Sequence, residues 1–511
     1  MIPIPIRAIT STFAAALAPA AASFDVALRD PARAQTAALK RIASEVHRLR
    51  GVSSLRELHD FEIVGYDDMS TSIDRIANAG ERTLLTRSPV IRFEHSGGSS
   101  GAHKLLPMTK AFLAEMNRAL LPWLFSLYAR TPGVADGCAY WSISPIAADR
   151  ERTTRAGIPI GSDGDSAYFP SFARALIERV LAVPDSIAAM RDVDDARIET
   201  LRHLIARDDL TLISVWSPTF LTLLVDALDR NIDRLLADMP DRRRASKLRA
   251  LSRRIEPRDL WPKLALVSMW TDAAAARFVD DAVARFPGVR VQPKGLLAVE
   301  GTVSIPYAHG DDPVLAVRSH VLEFVDDAGR ARFVHELERG KTYEVLLTTS
   351  AGLVRYRLGD RIVVVGREHA TPRVRFVGRT GIVADLVGEK LSATFAGTVL
   401  DRIVPHAKFA MLAPSTTPTP HYVLYLDATN ARDTAHVAKA VDEALRAGHP
   451  YRYARDLGQL AAVEVVEVVD GYRAYEAACI GRGQRAGDIK PTPLHTALDW
   501  REAFARASRR G

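Results

Sequence analysis

Residues 264–270, Leu-Ala-Leu-Val-Ser-Met-Trp, best indicate the fold class of this 511-residue chain. The run is apolar almost throughout, which is typical of a strand buried on both faces of an α/β sheet. Helical patterns flank it at Pro218–Leu236 and Ala273–Phe286. Further strand candidates are Val90–Phe93, Leu212–Trp216, Val289–Gln292, Tyr343–Thr348 and Ile362–Val365. We therefore predict an α/β fold with a large N-terminal domain of mixed sheets and helices, which over residues 25–95 consists of helices joined by short turns.

The pattern changes after Arg379. Helical spacing at Leu391–Ile403 and Thr434–Ala447 alternates with strand-like runs at Tyr422–Leu426 and Ala462–Val468. This alternation suffices for a small α+β unit with two or three strands. We predict a large domain over residues 1–378 and a small, mobile C-terminal domain over residues 379–511.

Composition excludes several classes of protein. The chain is 47% hydrophobic and 25% charged, as in globular domains. Its two cysteines, Cys138 and Cys479, lie far apart, which excludes a disulfide scaffold and a cysteine-rich zinc site. None of the 14 histidines forms an HExxH pair. These features favour a protein of the reducing cytoplasm.

The net charge is +7, with a basic cluster between Arg242 and Arg254. A positive balance favours anionic partners, including nucleic acid, membranes and nucleotides. The cluster lacks interleaved aromatic residues and falls in a helical pattern. We interpret it as a solvated helix face rather than a nucleic-acid footprint, and expect no nucleic-acid partner.

The N-terminal segment is similar to a signal peptide, with Arg7 before the apolar run Ser11–Ala22. Pro19 interrupts that run. No window approaches the ~20 apolar residues that a membrane span requires. We expect a helix that packs on the body of the protein, with no membrane association.

The segment Ser96-Gly97-Gly98-Ser99-Ser100-Gly101-Ala102-His103-Lys104 follows the first strand candidate. Its glycines allow backbone N–H groups to approach a ligand, its hydroxyls can bind phosphate oxygens, and Lys104 adds a positive charge. The spacing is not that of a Walker A motif. A plain surface turn is the alternative.

Two further segments offer carboxylates beside glycines. Asp360, in Tyr356-Arg357-Leu358-Gly359-Asp360, could accept hydrogen bonds from ribose hydroxyls, or could form an ion pair that closes a hairpin. Glu300 closes the segment Lys294–Gly301 and could hold Mg²⁺ together with nucleotide phosphates, or could be a surface glutamate at a strand end.

Lys490 lies in Gly483-Gln484-Arg485-Ala486-Gly487-Asp488-Ile489-Lys490-Pro491. Glycines and a proline disfavour a helix or a central strand there. The segment suits a mobile loop that brings one positive charge into a cleft. A solvated lysine is the alternative.

The order of these segments resembles the adenylate-forming enzymes and, more closely, the Gretchen Hagen family of acyl acid amido synthetases. The resemblance extends from about Asp30 to Leu494. It includes Leu260-Trp261-Pro262, Thr348-Thr349, Gly352-Leu353, Phe376-Val377-Gly378-Arg379 and Gly388-Glu389-Lys390. It implies ATP- and Mg²⁺-dependent conversion of a carboxylic acid into an acyl-adenylate, followed by transfer to an amine such as an amino acid.

The resemblance also implies roles for individual residues. Lys490 and Lys390 correspond to catalytic lysines, Glu300 to the glutamate beside the nucleotide and Mg²⁺, and Asp360 to the ribose-binding aspartate. The remaining residues implied to bind the nucleotide are Ser96, Gly97, Gly98, Ser99, Lys104, Tyr356 and Arg379. The small domain is expected to move about Gly378-Arg379 between the two half-reactions.

Two departures leave alternatives open. Gly98 stands where the family usually has threonine, and Val299 stands where it has serine or threonine. Each lost hydroxyl removes a hydrogen bond worth about 0.5–1.5 kcal/mol. The alternatives to an amido synthetase are a thioester-forming ligase that uses coenzyme A or a carrier protein, and a non-catalytic nucleotide-binding relative.

The acyl pocket is expected between the sheet and the helices of the large domain. Its aromatic candidates lie at strand ends or helix starts, and ordinary core packing is the alternative for each. They are Tyr140, Trp141, Trp216, Phe220 and Trp270.

Overall fold

The computed structural model describes residues 6–96, 104–142, 152–161, 168–190, 192–251, 254–308, 310–427, 434–484 and 486–508. Contacts divide the chain into two compact units. The first includes most of the chain up to Val377, and the second runs from Gly378 and also includes Ala273–Asp280.

The first unit contains ten α-helices among its described residues, the last of which begins in the short Ala273–Asp280 segment. They are α1 Ile6–Arg29, α2 Pro31–Glu45, α3 Tyr66–Asp74, α4 Lys110–Arg130, α5 Ser171–Val180, α6 Val193–Ile205, α7 Pro218–Asp238, α8 Arg242–Arg249, α9 Pro257–Leu260 and α10 Val279–Ala284. Its shorter helical turns are His47–Leu49, Leu55–Asp60, Arg75–Ala79, Val134–Asp136, Asp185–Ala189 and Val334–Glu336. The turn Ala273–Phe278 belongs to the second unit.

Four strands form a parallel sheet in the order β3-β4-β5-β6. These strands are β3 Cys138–Trp141, β4 Leu210–Ser214, β5 Leu266–Met269 and β6 Arg290–Pro293. The apolar run at 264–270 thus contains β5, every residue of which is buried. The prediction of a sheet strand buried on both faces is confirmed, with bounds one or two residues narrower than expected.

A second, seven-stranded sheet is antiparallel wherever its pairing is resolved. Its strands are β9 Ser304–Ile305, β10 Val314–Leu315, β11 Val321–Val325, β12 Ala331–Phe333, β13 Thr342–Thr348, β14 Tyr356–Glu368 and β15 Thr371–Arg379, in the order β12-β11-β13-β14-β15-β10-β9. Two hairpins complete the unit: β1 Val90–Ser96 with β2 Lys104–Thr109, and β7 Leu297–Ala298 with β8 Gly301–Thr302. One apolar core joins residues of α1, α4, the parallel sheet and the antiparallel sheet.

The first helix, α1, runs without interruption through Pro19. Its buried face packs on α4, where Phe13 meets Tyr128 with ring centroids 5.5 Å apart, and Thr10 donates to the Ala135 carbonyl at 2.7 Å. Packing on the body is therefore confirmed. The expectation that no segment is long enough to span a membrane was too strict, because this 24-residue helix qualifies by length and composition. That is weak evidence, since buried core helices qualify too.

The second unit has a three-stranded sheet with the order β18-β19-β20. The strands of the second unit are β16 Val383–Ala384, β17 Leu391–Ser392, β18 Phe409–Ser415, β19 His421–Asp427 and β20 Glu464–Glu467. Its helices are α11 Ala393–Ile403, α12 Thr434–Leu445, α13 His449–Asp456, α14 Gly471–Gly481 and α15 Trp500–Ser508, with a helical turn at Ala486–Asp488. Strands β16 and β17 pair separately as a short hairpin. The α+β prediction is confirmed.

Several predicted element bounds were wrong for physical reasons. Leu391–Ser392 is strand rather than helix, because the Ser392 hydroxyl accepts from the Phe395 N–H and so begins α11 at Ala393. Residues Ala273–Phe286 split into a tight turn and the short α10, and Ala273 has a left-handed φ of 50°. The strand at Phe409–Ser415 was missed altogether.

The basic cluster forms α8 and its flanks. Four of its five arginines and lysines in α8 are exposed, in agreement with a solvated face, but Arg244 turns inward and donates to the carbonyls of Ile205 and Leu260. Both cysteines are free and buried, and burial raises the pKa of each thiol to about 12.

Candidate functional site

Asp360 lies in an irregular stretch of β14. The register passes from Leu346↔Arg357 to Glu344↔Arg361, so three residues of β14 face one residue of β13. Gly359, at the centre of this bulge, has φ 80°, a left-handed value that glycine adopts without strain. Bulges re-aim side chains and often occur beside active sites. Asp360 is a buried carboxylate at this bulge, with 6% of its surface exposed.

Glu300 lies in the two-residue turn between β7 and β8, where Ala298 pairs with Gly301. It too is buried, with 7% exposed. A Cβ at Gly301 would lie 2.9 Å from the His320 ring and 3.2 Å from Leu347 Cδ1. Only a glycine lets this turn approach so closely, and the approach brings the Glu300 turn to the end of β13, next to the strand that contains Asp360.

A buried hydrogen-bond network that includes His320 adjoins the turn that contains Glu300. Glu115 of α4 accepts from His320 Nδ1 at 2.9 Å through one carboxylate oxygen and from the Ser350 N–H at 2.8 Å through the other. The His320 ring stacks on Phe112 at 5.5 Å. The network joins α4, the loop before β11, and the turn after β13. It fixes the Thr348–Ser350 segment, whose three side chains are buried.

Lys104 begins β2, and its ammonium lies 5.2 Å from the ring centroid of Tyr66. The Tyr66 hydroxyl accepts from the Leu105 N–H at 3.0 Å. Two residues earlier, Val64 bridges Tyr356, which is buried in an apolar cluster. Lys104 and Tyr356 are thus linked through this short segment.

The predicted loop residues Gly97, Gly98 and Ser99 lie outside the described residues. Ser96 ends β1 and its backbone pairs with Lys104. Residues 97–103 lie outside the described part of the chain, so the phosphate-binding role of this segment stays a prediction.

In the second unit, Lys390 ends a loop between β16 and β17. Glu389 is the centre of that loop: its carboxylate accepts from the N–H groups of Leu386 and Val387 at 2.8–3.1 Å, and from the Tyr422 hydroxyl. Burial and the nearby Glu389 carboxylate raise the pKa of Tyr422. Lys390 has φ 46° and an exposed side chain. The loop is rigid at Glu389 and exposes the lysine.

Lys490 follows the helical turn Ala486–Asp488. Its carbonyl accepts from the Tyr475 hydroxyl at 3.0 Å, and the Ile489 carbonyl accepts from the Tyr472 hydroxyl at 3.4 Å. Both tyrosines belong to α14. The backbone of the lysine loop is therefore held on this helix, while the Lys490 side chain is exposed.

Arg379 ends β15 and is half-buried. The division between the two units falls between Val377 and Gly378. Gly378 has φ 140°, which is rare for other residues.

The aromatic candidates divide into two groups. Tyr140 and Phe220 are buried, as core residues would be. Trp141 ends β3, and Trp216 and Trp270 lie two and one residues beyond β4 and β5, where all three are half-buried. The rings of Trp216 and Trp270 are 5.5 Å apart. These three tryptophans lie at the carboxyl edge of the parallel sheet, where α/β folds bind ligands.

Sequence reasoning missed three residues at these places. Glu115 had a visible signal, because it occurs on the apolar face of α4 with Phe112 and Met116. Lys294 follows β6 directly and so shares the sheet edge with the tryptophans. Nothing in the sequence indicated His320, whose position depends on a tertiary contact.

Glu300 and Asp360 both belong to the first unit: Glu300 precedes Gly301, which approaches Leu347 near the end of β13, and Asp360 lies in the adjacent strand β14, opposite the middle of β13. Lys390 and Lys490 belong to the second unit. Buried carboxylates beside glycines, with exposed lysines on fixed loops, can bind a nucleotide and neutralise charge on phosphate.

Comparison with protein families accounts for most of the chain. The model for the GH3 family N-terminal domain matches residues 22–291, that for the central domain residues 314–379, and that for the C-terminal domain residues 391–497. The putative indole-3-acetic acid-amido synthetase GH3.10 of Oryza sativa subsp. japonica is 25% identical over 383 residues, which cover 69% of this chain and 76% of the relative. The indole-3-acetic acid-amido synthetase GH3.4 of Arabidopsis thaliana is 22% identical, covering 71% and 67%.

Solved structures agree on the fold. The GH3.15 acyl acid amido synthetase superposes with a TM-score of 0.80 at 17% identity, covering 99% of this chain and 97% of that one. A 2-hydroxyisobutyryl-CoA ligase in the postadenylation state superposes with a TM-score of 0.51 at 11% identity, covering 98% and 91%. At these identities the likeness establishes the fold alone.

Proposed function

The chain belongs to the GH3 family, and we propose that it activates a small carboxylic acid with ATP as an acyl-adenylate and transfers the acyl group to an amine. The observation that supports this most directly is that Glu300 and Asp360 are both buried beside glycines, one in a turn that approaches β13 and the other in the bulge of the adjacent strand β14. Two buried carboxylates beside glycines are costly to keep unless they serve a ligand or a partner. The order of the matched segments along the chain is the second support.

Asp360 is proposed to hold the ribose. An ionised carboxylate only accepts hydrogen bonds, and its two oxygens suit two adjacent hydroxyl donors. The bulge at Gly359 gives this side chain an orientation that a regular strand would not. Binding here would fix the nucleotide before any charge develops in the reaction.

Glu300 is proposed to contact Mg²⁺ that enters with the nucleotide. No group of three or more His, Cys, Asp or Glu residues suited to a metal occurs among the described residues. Mg²⁺ commonly takes one or two protein carboxylates and completes its shell with phosphates and water. A single buried glutamate at a turn fits that pattern, and the ion would neutralise phosphate charge.

The first half-reaction needs positioning more than covalent chemistry. The substrate carboxylate attacks the ATP α-phosphorus, the bond to the pyrophosphate oxygen breaks, and pyrophosphate leaves with its electron pair. Lys490 is proposed to neutralise the charge that develops on the phosphate oxygens. Lys390 is proposed to contact the adenylate. Both have exposed side chains on loops whose backbones are held, so they can reach a ligand without unfolding the loop.

The second half-reaction needs only an unprotonated amine. The adenylate is a mixed anhydride, so the amine attacks its carbonyl and AMP leaves with the bonding electrons. The proton released from the amine passes to solvent or phosphate. Relatives named as indole-3-acetic acid-amido synthetases suggest an amino acid as the acceptor. A dependence on ATP also leads us to propose that the protein works in the cytoplasm.

The two departures from the family pattern should change the rate of the reaction and not its chemical mechanism. Val299 lies in the β7–β8 turn beside Glu300, where a hydroxyl could have bound phosphate. Its loss and that of a hydroxyl at Gly98 remove weak hydrogen bonds and no charged group. We therefore propose a catalytically competent enzyme.

The test is acid-dependent exchange of pyrophosphate into ATP, run across aryl, indole and aliphatic acids with and without amino acids. Exchange that requires the acid, and is lost in Glu300→Gln, supports adenylation. Amide formation with an amino acid, and none with coenzyme A under the same conditions, supports the amido synthetase. Exchange followed by thioester formation would replace the second half of the proposal. ATP binding with no exchange from any acid would contradict it entirely.

A further inference from the structure

Lys294 is a buried lysine immediately after β6. Only 6% of its surface is exposed, and its ammonium donates to Ser214 Oγ at 2.7 Å. Ser214 ends β4, two strands away in the sheet order β4-β5-β6, so the side chain crosses the carboxyl edge of the sheet. An ammonium in such a place acts through a low dielectric, which strengthens its attraction for any anion that enters.

Aromatic rings surround that ammonium. Its nitrogen is 4.4 Å from the ring centroid of Trp216 and 5.3 Å from that of Trp123 in α4. Both distances are within the range of cation–π attraction. Trp270 packs against Trp216, which extends the aromatic wall along the sheet edge. A planar apolar ligand would find rings to stack on beside a fixed positive charge.

The polar atoms of this wall are hydrogen-bond donors. The indole N–H groups of Trp123 and Trp141 are buried, and neither has an acceptor among the residues that the structure describes. Trp123 is itself 92% buried, since 8% of its surface is exposed. Buried indole N–H groups normally have a partner. Two indole donors and an ammonium thus lie at the carboxyl edge of the parallel sheet, and a ligand with oxygen acceptors would satisfy them.

The location matches the acyl side of the proposed site. Trp141, Ser214 and Ser268 are consecutive partners across β3, β4 and β5, and Lys294 lies just beyond this row. The chain then runs from Lys294 to Glu300 within six residues. The carboxyl edge of a parallel sheet is where such folds bind substrates. Along the chain, Lys294 therefore lies between the last strand of the parallel sheet and the proposed nucleotide-binding turn.

Resting on the proposed function, we propose that Lys294 and its tryptophans form the acyl-acid pocket and select a planar aromatic acid with a second, non-reacting carboxylate. The reacting carboxylate loses its charge when it attacks phosphorus. A buried ammonium bound to it would stabilise the ground state more than the transition state and so oppose the reaction. A second carboxylate keeps its charge throughout, so its pairing with Lys294 is maintained in both states.

The test compares benzoate with phthalate, isophthalate and terephthalate in the exchange assay. We expect kcat/KM for one of the three diacids to exceed that for benzoate by about 10–100-fold, as one charge-assisted contact allows. Lys294→Met, which keeps the length but not the charge, should remove that preference, so that kcat/KM for the favoured diacid falls to within about threefold of that for benzoate. Lys263→Met replaces an exposed lysine before β5 and should behave like the native chain.

Two outcomes would overturn the inference. The first is an equal loss of exchange with benzoate and with the diacids in Lys294→Met, which would place Lys294 on the reacting carboxylate or in the core. The second is a native chain that exchanges with benzoate and does not prefer any diacid.

A binding assay separates this inference from the proposed function. If no acid supports exchange, the proposed function fails, but quenching of tryptophan fluorescence by the diacids still tests the pocket. Quenching that is lost in Lys294→Met and retained in Lys294→Arg supports it. Quenching that Lys294→Met leaves unchanged overturns it. If Lys294→Met fails to fold, Lys294→Arg, which keeps the positive charge, still tests the pocket.

Discussion

The two carboxylates of the first unit and the two lysines of the second are held in opposite ways. Glu300 and Asp360 are buried, and glycines set the turn and the bulge that position them. Lys390 and Lys490 are exposed, although the backbones around them are fixed by Glu389 and by Tyr475. Side chains that are held before binding lose little entropy when the ligand arrives, while exposed side chains can adapt to it. The comparison predicts that changes around the buried carboxylates alter stability and affinity, and that changes at the exposed lysines alter rate.

Glu115→Ala tests the first half of the comparison and should have the largest effect. It removes the acceptor for both the Ser350 N–H and His320 Nδ1 in a buried place. Two unsatisfied donors should lower the free energy of unfolding by about 4 kcal/mol. Denaturant unfolding measures this, with Glu178→Ala, an exposed helical glutamate paired to Arg174, as the control. A loss as small as that of the control would show that the network does not hold the site.

Lys490→Ala tests the second half. Loss of a charge that acts mainly in the transition state should reduce kcat for exchange on the order of 10²–10³-fold and leave the unfolding midpoint unchanged. Lys408→Ala removes a similarly exposed lysine between α11 and β18 and should retain full activity. A change in the KM for ATP with an unaltered kcat would assign Lys490 to ground-state binding instead.

His495→Asn sharpens the comparison through pH. Burial, with a smaller contribution from Arg482, lowers the pKa of His495 from 6.5 to about 4, and its Nδ1 accepts from the Ala497 N–H. Because the folded pKa is depressed, the second unit should keep its full stability above pH 6.5 and lose up to about 3 kcal/mol as the pH falls from 6.5 to 4.

Hydrogen exchange in α14, measured between pH 7 and pH 4, follows this loss in the second unit. His495→Asn keeps an acceptor but cannot take up a proton, so its protection should vary less with pH. Equal pH dependence in the variant and the native chain would refute the assignment.

Asp360→Asn should have the smallest effect of the four. One oxygen still accepts a hydrogen bond, so loss of the charge should raise the KM for ATP by about 10–100-fold with little change in kcat. Asp327→Asn is the control, because Asp327 is exposed and pairs with the neighbouring Arg361 at 2.6 Å. An unchanged KM would remove Asp360 from the nucleotide site.

Much of the fold followed from periodicity, and the reasons for the failures are local. The apolar runs of β4 and β5 identified strands buried on both faces of an α/β sheet, and the resemblance identified the family. Strand β18 was missed because Ala410, Ala413 and Pro414 weaken its strand pattern. The start of α11 depended on a capping hydroxyl, which hydrophobic spacing does not reveal.

The candidate site divides in the same way. Glu300 and Asp360 could be predicted from the sequence because each lies beside a glycine, and glycine allows local backbone conformations that other residues rarely adopt. His320 and Glu115 meet across 205 residues of sequence, and no local pattern records that contact. Lys294 was visible as a residue of the motif, but its burial among tryptophans from α4 and from the end of β4 required the tertiary structure.

The two buried cysteines have a practical consequence for spectroscopy. Thiols whose pKa is about 12 and which lie away from solvent react slowly with maleimides and disulfides. The two native cysteines therefore need not be replaced before other positions are labelled. A cysteine placed on the exposed face of α12 and another on α8 would accept a dye pair selectively. The distance between the dyes, followed as ATP, acid and amine are added in turn, would test the predicted movement of the small domain between the two half-reactions.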